Sequence, residues 1–125
     1  ERGYAYHPAG KLLKIGNLSF YHGHNYGGIN HARNHLLKYG CNIMYGHHHD
    51  MQQATATSSS GPIQAWSIGS LKDDSTEVNT YTKGRPLNWI QGFAIVDYYN
   101  RNDFSESVVQ INKGRAVIEG KEINA

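Results

Sequence analysis

The feature that most constrains the fold is a change of apolar periodicity between residues 12 and 46. Two short apolar runs surround Gly16 in "LLKIGNLSFYH", which predicts a tight hairpin ending in a strand over 18–22. The next segment, 27–40, has the apolar spacing of a helix, and "CNIMYG" (41–46) is an apolar run of strand length. Strand, helix and strand in this order predict a βαβ unit within a layered α/β domain.

The predicted helix is expected to begin after Asn30 and to end at Gly40, a residue type that suits the left-handed conformation of a helix C-terminus. Its buried face is predicted to consist of Ala32, Leu36, Leu37 and Tyr39. His31 and His35 are four residues apart, and we interpret them as polar residues of the exposed face. The alternative is that this spacing chelates a metal there.

The rest of the sequence predicts a strand-rich second half. Alternating residues and a turn at Ser60-Gly61-Pro62 indicate paired strands over 52–71. Further strands are predicted over 89–99, 105–111 and 116–123. The polar segment 71–88 is predicted to be a long surface loop, and such loops often carry function. With 125 residues, 38% of them apolar, the chain is expected to form one domain, 1–125.

Histidines are concentrated at the ends of the two predicted strands of the βαβ unit. "FYHGHNYGG" (20–28) and "YGHHHD" (45–50) hold five of the eight histidines, and ligands bind at this edge of open α/β sheets. Alternate residues of an extended segment share a side, so His47 and His49 are expected to face one point that His22 also reaches. Neutral imidazoles with added oxygen ligands suit zinc, iron, nickel or manganese. The sequence therefore predicts a metal site with these three histidines as ligands.

Other polar residues have weaker predicted roles. His24 either supports a ligand or acts as a proton donor, whereas His48 is expected to point away and to be structural or exposed, and His7 to lie on the surface. Arg85, in "GRPLNW", is either a solvated loop residue or a group that holds a phosphate. Cys41 is interpreted as a small buried residue rather than a reactive thiol.

Composition excludes few functions. A net charge of +2 gives no large basic field of the kind that a nucleic-acid coat protein needs. One cysteine, and no apolar run near the roughly 20 residues of a membrane span, lead us to predict a cytoplasmic protein without a membrane partner. G-x-S-x-G, P-loop and dinucleotide motifs do not occur.

The order of these motifs resembles the C-terminal half of the calcineurin-like metallophosphoesterases, especially small bacterial and phage members. His22-Gly23 and Gly46-His47-His48-His49 match that family's His-Gly and Gly-His-x-His motifs, and "GSL" (69–71) and the closing "INKGRAVIEGKEI" are also similar. The resemblance implies a four-layer α/β/β/α sandwich of which this chain is the strand-rich part. It also implies hydrolysis of phosphate mono- or diesters at a dinuclear metal centre.

Carried over residue by residue, the resemblance implies that His22 and His47 bind one divalent metal and that His49 binds the other. The metals would be manganese, iron, zinc or nickel, and the substrate a phosphate ester, nucleotides and nucleic acids included. His24 would assist the leaving group and Arg85 would hold a substrate phosphate.

The family's carboxylate motifs do not occur in this sequence. Asp-x-His, Gly-Asp-x-x-Asp and Gly-Asn-His-Asp/Glu are all absent, so we expect an N-terminal half, in cis or in trans, to supply the aspartates. The alternative is a non-catalytic binding or assembly module, which would form a homo-oligomer or bind a partner through an exposed sheet edge. A mononuclear three-histidine zinc site of the carbonic-anhydrase type is the third interpretation.

Overall fold

A five-stranded mixed sheet organises the chain in the computed structural model, which describes residues 3–75 and 78–125. Its strands are β1 (Leu13–Ile15), β2 (Leu18–Tyr21), β3 (Ile43–Tyr45), β4 (Met51–Ser58) and β5 (Gly61–Ile68), and the helix α1 spans His31–Tyr39. Two hairpins follow: β6 (Gln91–Tyr98) with β7 (Phe104–Ile111), and β8 (Arg115–Ile118) with β9 (Lys121–Asn124). The coarse prediction of a strand-rich α/β chain is confirmed.

The predicted βαβ unit is present as β2, α1 and β3. The strand order is β1-β2-β3-β5-β4, in which β2, β3 and β5 are parallel and the two edge strands are antiparallel to their neighbours. Tyr21 and Tyr45, the last residues of β2 and β3, lie opposite each other in the register. The two histidine-rich segments therefore leave the sheet side by side.

Each face of the five-stranded sheet is covered by a different layer. On one face, Ala32 and Leu36 of α1 pack against a cluster that includes Ile43 and Ala65. On the other face, Trp66 and its buried neighbours contact apolar residues of β6 and β7. The described residues thus form three layers in the order α, β, β.

α1 begins and ends where the sequence predicts, but its buried face differs from the predicted one. Gly40 ends α1 with a φ of 62°, and its N–H donates to the carbonyl of Leu36 at 2.9 Å. Leu37, predicted to be buried, is 73% exposed. His31 and His35, interpreted as exposed, are 2% and 0% exposed, so that interpretation is wrong. The reason lies in the sheet, which offers these two rings hydrogen-bond partners distant in sequence.

The second half differs from the prediction in one hairpin and one turn. The segment predicted as a single strand over 116–123 folds back at Glu119-Gly120, whose φ values of 51° and 77° permit a tight turn. The β4–β5 turn lies at Ser59-Ser60. In the described part of the loop 71–88, the one regular element is a short 3-10 helix, Thr80–Thr82. No helix in the described ranges is long and apolar enough to cross a membrane.

Candidate metal centre

The register of β2 and β3 brings His22 and His47 into contact. The His22 carbonyl accepts a hydrogen bond from Gly46 N–H at 3.1 Å, so the sheet pairing continues one step beyond the strands. His22 Nε2 lies 2.9 Å from His47 Nδ1, and the ring centroids are 4.8 Å apart. Both rings are exposed to solvent. Two imidazole nitrogens therefore face each other at the carboxyl edge of the sheet.

The separation of these two nitrogens fits two ligands of one metal ion. Nitrogens about 2.1 Å from a metal and at right angles to each other are about 3.0 Å apart. The same distance allows an N–H···N hydrogen bond between His22 and His47. Partial desolvation and the neighbouring imidazoles lower the pKa of the exposed His47, which favours the neutral ring that a metal requires.

Position 23, directly after His22, accommodates no residue larger than glycine. Its φ is 109°, and a Cβ at this position would lie 2.6 Å from Cδ2 of Tyr45 and 2.8 Å from the carbonyl oxygen of Gly46. Any side chain would thus push apart the two loops that carry His22 and His47.

The segment 46–49 is not extended, so the reason for expecting His47 and His49 to face one point does not hold. His47 and His49 have φ values of 66° and 62°, the left-handed region in which a non-glycine residue costs about 1 kcal/mol. Such backbone strain is concentrated at functional sites in proteins. The chain bends at both residues, and the two rings contact different neighbours.

His49 contacts Trp89 rather than the His22–His47 pair. The ring centroids of His49 and Trp89 are 4.8 Å apart, and the His49 carbonyl accepts from Ile90 N–H at 2.7 Å. Nδ1 of His49 is buried and has no hydrogen-bond partner within residues 3–75 and 78–125. A buried nitrogen without a partner is costly, and a metal ion is one species that satisfies it. Burial, followed by the positive charge of Lys72, lowers the pKa of His49.

His24 lies beside the His22–His47 pair. Its ring centroid is 5.6 Å from that of His22 and 6.2 Å from that of His47, and its side chain is exposed. The structure thus brings His22, His24 and His47 together. His49 is the one predicted ligand that stands apart from them.

His48 points to the opposite side and joins a buried polar network. Its ring stacks on His31 with a centroid separation of 3.8 Å and an interplanar angle of 14°. Its Nε2 donates to the carbonyl of Gly23 at 3.0 Å. His48 therefore connects the loop after β3 to the loop after β2.

Asp50 lies at the centre of this network, and both of its carboxylate oxygens accept hydrogen bonds. It is 4% exposed, and His31 Nε2 lies 2.9 Å from both of its carboxylate oxygens. The carboxylate also accepts from Ser67, Gln52 and Asn88, at 3.0, 2.8 and 3.3 Å respectively. Because its oxygens are occupied in this way, Asp50 stabilises the buried network and is not free to act as a ligand beside His49.

A second histidine extends the network along α1. His35 Nδ1 donates to the carbonyl of His31 at 2.6 Å, and its Nε2 lies 2.5 Å from the hydroxyl of Tyr21. Its ring stacks on Tyr45 at 3.9 Å, and the Tyr45 hydroxyl lies 2.6 Å from Nδ1 of His31. Burial lowers the pKa of His35 and raises the pKa values of Tyr21 and Tyr45. The rings of His35, Tyr21 and Tyr45 are therefore uncharged near neutral pH.

Arg85 lines a cleft to which none of the eight histidines contributes, and Trp89 lines the same cleft. The cleft encloses about 210 Å³, and the exposed Arg85 forms part of its wall. The sequence did not single out Trp89, although a tryptophan at the end of a polar loop was the available signal.

Of the three predicted donors, His22 and His47 lie together, with 2.9 Å between Nε2 of His22 and Nδ1 of His47. Among the residues that the structure describes, no three His, Cys, Asp or Glu side chains form a group that could hold a metal by themselves. A mononuclear three-histidine site is therefore not assembled in this part of the chain. Comparisons of the chain with protein-family models, curated proteins and solved structures find no match.

Proposed function

We propose that this chain supplies the histidine ligands of a dinuclear metallophosphoesterase centre that hydrolyses phosphate mono- or diesters. The observation that carries the proposal is the 2.9 Å approach of His22 Nε2 to His47 Nδ1 at the ends of two parallel strands. The α, β, β order of layers is compatible with an α/β/β/α sandwich in which a further helical layer lies outside β6 and β7.

In this proposal His22 and His47 hold one divalent metal and His49 holds the second. Support for the first assignment is the spacing of the two nitrogens, and support for the second is the buried, unpartnered Nδ1 of His49 among the described residues. When bound, two cations such as manganese, iron, zinc or nickel acidify a water and neutralise phosphoryl oxygens in an in-line displacement.

The chain's own side chains have distinct tasks around the reacting phosphate. His24 is exposed beside the His22–His47 pair, where its imidazole gives a proton to the leaving oxygen. Arg85, with its rigid guanidinium fork, holds a phosphate oxygen from the side of Trp89. The contact from His48 to Gly23 keeps the two ligand loops in place.

The remaining ligands are carboxylates from another segment, in the same polypeptide or in a second chain. Support for this is that Asp50, the carboxylate next to the motif, is fully engaged by the buried network. Histidines alone would leave two cations with too much uncompensated charge.

Metal binding by this chain is the first test. Titration with Mn²⁺ or Zn²⁺, followed by metal analysis after desalting, should show binding that His22→Ala and His47→Ala abolish. His7→Ala is the matched control, because His7 is exposed and its hydrogen bond among the described residues is local, to the Lys11 carbonyl. Equal metal content in wild type and His47→Ala would overturn the assignment.

Hydrolysis is the second test. Bis-p-nitrophenyl phosphate and p-nitrophenyl phosphate should be cleaved when this chain is combined with the carboxylate-bearing segment. His49→Ala should remove that activity, and equal activity in the variant contradicts the proposal.

An assembly module is the second candidate function, and the open edges of the sheet favour it. β1 and β4 each pair on one side only within the described residues. The outcome that selects this candidate is self-association in sedimentation together with no turnover in any combination of segments.

A further inference from the structure

A lysine and two aromatic rings form a cluster beside His49. Lys72 Nζ lies 4.8 Å from the ring centroid of Tyr81 and 5.2 Å from that of Trp89. It also lies 2.8 Å from the Tyr81 hydroxyl. Trp89 in turn contacts His49. We call Lys72, Tyr81 and Trp89 the aromatic–lysine cluster.

Trp89 joins the cluster to the cleft that Arg85 borders. The cleft is lined by Asp74, Asn79, Thr82, Arg85, Leu87 and Trp89. Asn79 is 1% exposed, and its Oδ1 has no hydrogen-bond partner in the described part of the chain. Tyr81 is 60% exposed; Lys72 Nζ lies over part of its ring, and the remaining exposed ring surface is available to a ligand. The surface thus combines free aromatic area, two cations and a polar wall.

We infer that the aromatic–lysine cluster binds a planar aromatic group attached to the substrate's phosphate, a nucleoside monophosphate being the biological class. The ring of a nucleobase stacks on Tyr81 at the edge of the cleft. Lys72 neutralises the phosphate, which then lies on the side of His49. Asp74 accepts hydrogen bonds from sugar hydroxyls or from an exocyclic amine.

The identity of the reacting phosphate rests on the proposed phosphoesterase function, but recognition of the aromatic group does not. None of the three cluster residues is a proposed metal ligand, so their binding of the ring can be measured without metal. The probes are adenosine 5′-monophosphate, ribose 5-phosphate and inorganic phosphate. The last two carry the phosphate without the ring.

Isothermal titration of the chain in EDTA tests the inference. Adenosine 5′-monophosphate should bind at least about tenfold more tightly than ribose 5-phosphate, since stacking one base on one aromatic side chain commonly contributes that much. Tyr81→Leu should remove this preference, measured as the ratio of the two affinities, because the release of Lys72 from Tyr81 affects the phosphate of both ligands alike. Lys72→Gln should weaken both ligands because it removes the charge that faces the phosphate.

Tyr99→Leu is the matched control, since Tyr99 is 71% exposed and lies in the β6–β7 turn rather than in the cluster. Equal affinities for the two phosphates, or an unchanged preference in Tyr81→Leu, overturn the inference. If ring-dependent binding persists in EDTA while His47→Ala leaves metal content unchanged, the metal centre fails and the aromatic site stands. If His47→Ala loses metal but the chain in EDTA shows no preference for the ring, the aromatic site fails and the metal centre stands.

Discussion

The imidazole of His48 lies flat on the imidazole of His31, with centroids 3.8 Å apart and planes 14° from parallel. His31 is fixed by Asp50, and His48 is fixed by the carbonyl of Gly23. The middle histidine of "GHHHD" thus links the buried face of α1 to the loop that carries His22. Loss of a side chain that orients the ligands of a metal typically lowers metal affinity about 10- to 100-fold.

Replacing His48 tests this link. His48→Ala removes both the stack and the hydrogen bond to Gly23, so we expect metal affinity at the His22–His47 pair to fall by roughly tenfold or more. Titration with Mn²⁺ or Zn²⁺ measures the change. His7→Ala should be unaffected, and wild-type affinity in His48→Ala would show that the loop is held by other contacts.

Removing Asp50 should destabilise the fold. Asp50→Ala leaves Nε2 of the buried His31 without its acceptor and removes the carboxylate contacts of Ser67 and Gln52, which still donate to the main-chain carbonyls of Asp50 and Ile29. We expect the free energy of unfolding to fall by about 3 kcal/mol. Urea denaturation followed by circular dichroism measures this loss. Asp97→Ala, at an exposed position of β6, is the control and should change little. A loss of the same size in both variants contradicts a special role for Asp50.

Stability should depend on pH through His35. Burial lowers the pKa of His35 below its ordinary 6.5, so above that pH the ring is neutral in both folded and unfolded chains. Below 6.5 the unfolded chain takes up a proton that the folded chain excludes, and the free energy of unfolding falls until the pH reaches the folded-state pKa. Tyr21, Tyr45, His31 and His48 face the ring, and none of them supplies a negative charge near neutral pH.

The measurement is the unfolding free energy of wild type and His35→Gln between pH 7.5 and the acid limit of reversible folding, roughly pH 5. The variant should be less stable at pH 7.5 yet lose less stability on acidification. Part of the slope should remain, because burial also lowers the pKa of His48. Parallel pH curves for the two proteins would exclude His35 as a source of the dependence.

Alanine variants of Gly23 and Gly61 separate the cost of backbone strain from the cost of steric overlap. Both have positive φ, 109° and 116°, but no atom of the described chain lies within 4 Å of a Cβ added at Gly61. Gly61→Ala should therefore cost about 1 kcal/mol. Gly23→Ala should cost about 3 kcal/mol because its Cβ also overlaps Tyr45 and the Gly46 carbonyl.

The same pair of variants should differ in metal binding. Gly23→Ala moves the two loops apart, so the affinity of the His22–His47 pair should fall, whereas Gly61→Ala should bind metal as wild type does. Equal costs in urea denaturation, or unchanged metal affinity in Gly23→Ala, would show that the loops adjust freely.

Periodicity predicted the βαβ unit because strand, helix and turn signals are local. The apolar run over 41–46 became β3, and Gly40 ends α1 as its conformational freedom requires. His31 and His35 were misinterpreted because what keeps them buried is not local. Their partners are Tyr21, Tyr45 and Asp50, which come from the sheet and the loop after it.

The sequence predicted that His22 and His47 lie together, but not the position of His49 or the backbone conformation of this segment. His22 and His47 adjoin because parallel strands end together, a rule that sequence order can supply. The left-handed backbone at His47 and His49 was not predicted, since histidine adopts this conformation more often than most residue types but still in a small minority of cases. Trp89 reaches His49 across 40 residues of chain, and only the fold brings them together.

The approach of His22 to His47 has a consequence for folding order. The two residues are 25 apart, and the strands and helix that join them form a continuous stretch of chain. Closing so short a loop costs little entropy, and local contacts form early in folding. The histidine pair should therefore be assembled before the distant hairpin of β6 and β7 docks, and a metal bound at that moment would act as a template for the remaining chain.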